Sequence, residues 1–168
     1  MNRTTRCVLL VFALAALVIA GGGTVSASVF VKEDVASLKK SSEAVVHARV
    51  VDVRSYWNDD ASMIFTDVTL EVKRRLHGAA DDRLVVRVPG GTVEGFTAEM
   101  LGAPRFEIDE NVVVFIARWR DGVPMVAGYF QGKSRVQTDA VGNLMLKDGA
   151  ADGLPMSDLV RQISRSER

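Results

Sequence analysis

Ile64-Phe65-Thr66-Asp67-Val68-Thr69-Leu70-Glu71-Val72 decides the reading of this chain. Ile64, Thr66, Val68, Leu70 and Val72 point one way, while Asp67, Thr69, Glu71, Lys73 and Arg75 point the other. A period of two with one apolar face is the pattern of a half-buried β-strand, because successive side chains leave a pleated backbone on opposite sides. On its N-terminal side, Val46, Ala48 and Val50 alternate with His47 and Arg49, after which Val51 and Val53 take over the apolar role. This slip of phase predicts a β-bulge near Val50 and Val51 that bends the strand. The intervening polar stretch, Asn58-Asp59-Asp60, predicts a turn, so the two strands pair as a hairpin.

Working toward the C-terminus, Leu84, Val86 and Val88 predict a third strand, ended by Pro89-Gly90-Gly91. Residues 89–109 are glycine-rich and hold Phe96, Met100, Leu101 and Phe106 as isolated apolar anchors, which suits a long structured loop with at most one helical turn. Val112 to Trp119 is nearly continuous in apolar residues and predicts a central strand; Asp121-Gly122 turns it into a returning strand at Met125 to Gly128. Ser134–Thr138 and Leu144–Leu146 predict short edge strands. Val31–Ser42, with Val35 and Leu38 among Lys32, Glu33, Asp34, Lys39 and Lys40, suits a short amphipathic helix with a solvated charged side. Leu154–Ser164 predicts a final helix with Leu159, Val160 and Ile163 on its apolar side and Ser157 or Asp158 near its N-terminus. The fold class that follows is mainly β: a small five- to six-stranded barrel, closed or partly open, of the oligonucleotide/oligosaccharide-binding (OB) type, carrying a short N-terminal and a C-terminal helix. A small β-sandwich is the alternative.

The first 27 residues read as a secretory signal. Arg3 and Arg6 precede an apolar run from Cys7 to Ala20, and Val25-Ser26-Ala27 offers small residues before a cleavage point. The run is shorter than the roughly 20 residues a spanning helix needs, and Gly21-Gly22-Gly23 interrupts it. Residues 28–168 are therefore expected to form one exported domain, periplasmic or secreted, with no stable membrane insertion. Of the 21 basic and 21 acidic residues, cleavage removes Arg3, Arg6 and no acidic residue, leaving two excess negative charges. With signs interspersed, that balance gives no field that would attract nucleic acid or an anionic membrane. The single cysteine, Cys7, leaves with the signal, so the domain rests on core packing rather than disulfides.

Ala44-Val45-Val46-His47-Ala48-Arg49-Val50, the Ile64–Val72 strand ending at Leu76-His77-Gly78, Arg87-Val88-Pro89-Gly90-Gly91 and Gln131-Gly132-Lys133 resemble a group of uncharacterised exported bacterial proteins. More distantly, the strand plan over residues 44–137 resembles the netrin-like barrel of the tissue inhibitors of metalloproteinases. What that second resemblance implies is architecture. Its inhibitory device, a processed N-terminal cysteine that chelates the protease zinc, has no counterpart at Ser28.

Chemistry-bearing patterns are few. His47 and His77 have no second histidine or cysteine beside them, so both read as structural, His47 as a solvated or hydrogen-bonded strand histidine sharing its face with Arg49 and His77 as a turn residue before Gly78. Asp52, Asn58, Asp59 and Asp60 do not match a helix-loop-helix calcium loop, and Pro89-Gly90-Gly91 lacks the Lys-Ser/Thr of a phosphate loop. There is no Gly-x-Ser-x-Gly elbow. No catalytic residue, metal ligand or cofactor site is selected, and an enzyme is the minority reading. A hydrolase of cell-envelope polymers would require a deep pocket with two close ionisable groups, and a structural accessory subunit would require an exposed apolar patch or open strand edge. Aromatic side chains near basic groups bind sugars, peptides or bases. The candidate partner surface is accordingly the first hairpin tip, Tyr56, Trp57, Asn58, Asp59 and Asp60, together with Phe96 and Arg105 of the long loop; Trp119 reads as a plug at the barrel end and Gln131-Gly132-Lys133 as a turn. These residues lead to an exported binding module for a protein or peptide partner, with a protease-directed inhibitor as its specific form. Intact mass of the exported protein is expected to start at Ser28; retention of Met1 would show an uncleaved anchor instead.

Overall fold

In the computed structural model, residues 31–165 are described; residues 1–27, read above as a signal, lie outside them. The chain first forms α1 (Val35–Lys40), capped where the Asp34 carboxylate accepts from Ser37 N at 2.8 Å. Nine strands follow: β1 (Ala44–Trp57), β2 (Ile64–His77), β3 (Arg83–Pro89), β4 (Gly91–Val93), β5 (Phe96–Ala98), β6 (Asn111–Arg118), β7 (Pro124–Val126), β8 (Lys133–Thr138) and β9 (Leu144–Lys147). One 3₁₀ turn, Tyr129–Gly132, separates β7 from β8, and α2 (Met156–Arg165) ends the described chain.

β1, β2 and β3 form an antiparallel meander. β6 returns antiparallel to β1, with Ala44 opposite Ile116 and Arg49 opposite Asn111. β7 pairs with β6 and meets β3 through one parallel bridge, Arg87 to Met125. The ring β1-β2-β3-β7-β6-β1 is the strand order of an OB-type barrel, partly closed because its last seam is a single bridge. β8 and β9 extend the sheet beyond the free half of β6.

The bulge falls where the phase slip placed it. Register shifts between Val50 and Asp52, so Val46, Ala48 and Val50 face inward before it and Val53, Ser55 and Trp57 continue the inward phase after it. The barrel interior is built from small branched side chains, among them Val46, Val50, Val68, Leu70, Val86, Val112 and Val114. A second core lies on the opposite face of β1 and β6, where Val45, Val113 and Phe115 meet Val35 and Leu38 of α1 and Met156, Leu159 and Ile163 of α2. Burial on both faces explains why Val112–Ile116 is apolar without alternation. The C-terminal helix is thus part of the fold; Val160 sits at its half-buried margin rather than in its core, and Met156 takes the third apolar place.

Three expectations need correction. Residues 89–109 are not a plain loop: β4 and β5 form a short hairpin that turns at Glu94 and Gly95, both at positive φ. The charged side of α1 is not wholly solvated, because Lys39 is buried and its ammonium donates to the Ile163 carbonyl at 2.7 Å, joining the two helices. His47 is half-buried rather than freely solvated. Its Nε2 is buried with no hydrogen-bond partner, and burial, then the nearby Lys73 and Arg74, lowers its pKa from the ordinary value.

A histidine held neutral in the folded state binds fewer protons than in the unfolded chain. Its contribution to stability is therefore complete above the unfolded value of about 6.5 and is lost as pH falls toward the depressed folded value. Denaturant midpoints measured at pH 7.5 and 5.5 should fall for the natural protein and fall less for His47→Leu; identical slopes would remove His47 from the linkage.

Candidate functional site

The inward phase of β1 beyond the bulge carries its side chains to the open end of the barrel. There Val53, Ser55, Thr66, Val68 and Val88 form the floor and wall of a half-open cavity of about 770 Å³. Residues 89–107 make the rest of it, with Met100, Leu101, Ala103 and Phe106 contributing apolar surface. This volume falls within the roughly 300–1,000 Å³ of ligand sites.

Two polar side chains stand in the apolar wall. Ser55 Oγ lies 2.9 Å from Thr66 Oγ1, and Thr66 Oγ1 donates to the Gly90 carbonyl at 2.7 Å. The chain passes over them at Gly91, whose φ is +138°; an added Cβ would stand 2.4 Å from both hydroxyl oxygens. Ionisable side chains on the cavity wall come from the covering segment: Glu99, Arg105 and Glu107, with Arg105 paired to Glu99 at 2.6 Å.

The covering segment is pinned from below. Lys133 Nζ, nearly enclosed, pairs with Glu110 at 2.6 Å, donates to the Arg105 carbonyl at 2.7 Å and lies 5.0 Å from the centre of the Phe106 ring. Phe130 N donates to the Gly102 carbonyl at 2.9 Å. Lys133 belongs to Gln131-Gly132-Lys133, which is more than a turn: Gln131 Oε1 also accepts from Glu33 N at 2.8 Å.

The residues expected to form one surface separate. Trp57, 37% exposed, follows the inward phase and meets Phe96, 64% exposed, edge to face at 6.1 Å, so these two rings stand together beside the cavity. Arg105 is also at the cavity, through its pairing with Glu99. Tyr56 points to the opposite face. Its hydroxyl donates to Asp67 at 3.0 Å, and Arg87, paired to the same carboxylate at 3.0 Å, stacks over the rings of Tyr56 and Phe65. Burial first, then the bond to Asp67, raises the Tyr56 pKa. Asn58 and Asp60 are occupied in closing the turn, accepting from Ser62 and Met63 backbone N–H groups, and hydrogen bonds to Ser62 lower the Asp60 pKa. Asp59 is exposed at the same tip. Trp119 is 38% exposed and is not a barrel plug.

Ser55 and Thr66 escaped the sequence reading as site residues. The bulge was the available signal: once the phase is reset, Val53, Ser55 and Trp57 fall on one side, and Ser55 becomes a polar residue on an apolar row. Among the described residues no group of three His, Cys, Asp or Glu side chains is placed to hold a metal ion, and no helix is long and apolar enough to cross a membrane.

The fold and the cavity together define a small OB-type barrel with a roofed mouth. No protein-family model, curated protein or solved structure matches the chain.

Removing Lys133 should loosen the roof and leave the Glu110 carboxylate with Arg135 at 3.9 Å and the Glu107 N–H at 3.2 Å. Lys133→Met is expected to cost about 3 kcal/mol, and Lys133→Met with Glu110→Gln to recover part of that loss, since part of the penalty is a nearly enclosed charge deprived of its closest partner. Urea unfolding of both variants checks this; equal losses would place the cost in the cation's contacts with Arg105 and Phe106.

Proposed function

We propose that this protein is an exported, noncatalytic binding module that takes a peptide segment of a protein partner at the mouth of its barrel. The observation that carries the reading is the half-open cavity, lined by both apolar and polar side chains, beside the exposed pair Trp57 and Phe96. Leu101, 67% exposed, and Met100 continue apolar surface along the rim. Interface anchors of this kind are aromatic and aliphatic side chains next to a pocket, because they exchange water-exposed apolar area for contact with the partner. Ser55 and Thr66 in the strand wall are fixed by their hydrogen bonds, which suits orientation of a ligand. Inhibition of a protease is the specific form of this function; the barrel architecture supports it, and the chemistry of a chelating cysteine does not enter.

A random peptide library displayed on phage and selected on the purified protein tests the reading. Selected peptides should lose at least ten-fold in affinity for Trp57→Ser/Phe96→Ser, two exposed replacements that leave both cores intact. Selected peptides that bind the double variant equally well would move the binding surface away from the mouth.

A further inference from the structure

The two hydroxyls in the cavity wall have a defined polarity. Thr66 has one hydroxyl hydrogen, and the Gly90 carbonyl, which only accepts, takes it at 2.7 Å. The 2.9 Å contact between Ser55 Oγ and Thr66 Oγ1 must then use the hydrogen of Ser55. Hydrogens therefore run from Ser55 to Thr66 to Gly90, and the chain of donors ends at a backbone carbonyl. Ser55 is left with its hydrogen committed, so toward any further partner its oxygen can only accept, and the residue lines the cavity. An acceptor in an apolar wall is costly to cover with a group that cannot donate to it.

The pair cannot readily turn away. Gly91 packs over it so closely that a single added carbon would overlap both oxygens at 2.4 Å, and Thr66 is itself buried. Charge at the rim points the same way. Of Glu99, Arg105 and Glu107, the one cation is engaged by Glu99, so the mouth carries an excess negative charge that disfavours a carboxylate-bearing group.

We propose that the cavity selects a donor-tipped aromatic side chain, tryptophan or tyrosine, on the bound peptide, with the ring against Val53, Val88, Leu101 and Phe106 and its N–H or O–H donated to Ser55 Oγ. Aromatic rings supply apolar area and a single terminal donor, a combination that Val53, Val88, Leu101 and Phe106 together with the Ser55 acceptor accommodate. The inference rests on the cavity being the peptide site and adds the determinant of specificity. Ser55 is thereby a specificity-determining residue.

The test is a chemical-shift titration of the purified protein with N-acetyl-tryptophanamide and with its 1-methylindole analogue, which keeps the ring and loses the donor. Both probes should shift Val53, Thr66 and Val88, with the unmethylated probe binding about five-fold tighter. Ser55→Ala should bring the two affinities together, and Ser55→Thr, which keeps the acceptor, should restore the difference. Equal affinities in the natural protein, with shifts at the cavity, would overturn the donor preference and leave the peptide site standing. No shift at Val53, Thr66 or Val88 with either probe would overturn both.

Discussion

Everything in this structure hangs on the pairing of β1 with β6. Ala44–Arg49 lies antiparallel to Asn111–Ile116, and that seam joins the first and fourth strands of the barrel. It also separates the two cores. Val46, Ala48, Val112 and Val114 face the barrel interior, while Val45, Val113 and Phe115 face the layer of α1 and α2. The α-helical face of this pair gives way to solvent only toward Arg49, and His47, half-buried between Val45 and Arg49 on that strand, is left with a buried Nε2 and a depressed pKa.

From this seam the site follows by geometry. The bulge at Val51 ends the double-sided part of β1 and resets its phase, so the strand continues past the barrel with Val53, Ser55 and Trp57 on the inner side. That inner row becomes one wall of the mouth. The roof comes from the connection between β3 and β6, two strands that are not neighbours because β7 lies between them in the ring. Gly90 and Gly91, both at positive φ, let this connection turn sharply and lie directly on the Ser55 and Thr66 hydroxyls.

Two buried ammonium groups hold outlying parts to this frame. Lys39 satisfies a carbonyl near the C-terminal end of α2, where the helix leaves its last acceptors unpaired, and Lys133 gathers Glu110, the Arg105 carbonyl and the Phe106 ring beneath the roof. Removing a cation from water is expensive, and the cost is offset here by several fixed partners. Position is what these contacts secure. The rim of the cavity keeps its shape because its lower half is tied down at Gly102, Arg105 and Glu110, while the hairpin of β4 and β5 rises above it.

Most of the barrel was legible in the residues. Alternation located β2 and β3, the unbroken apolar run located β6, and the slip from Val50 to Val53 located the bulge, because side-chain direction in a strand is fixed locally by the pleat. The expected partner surface was legible only in part. Trp57 meets Phe96 and Arg105 lines the cavity, whereas Tyr56, adjacent to Trp57 in sequence, is carried to the far face by the same alternation and engaged by Asp67 and Arg87. Asn58 and Asp60 close their own turn. What the sequence by itself determined was the set of strands, their inward faces and the place where one of them bends. Tertiary structure alone decided the burial of Lys39 and Lys133, the orphaned nitrogen of His47, and the union of Ser55, Thr66 and Gly91 into one wall, because each depends on contacts between segments far apart in the chain that no local period encodes.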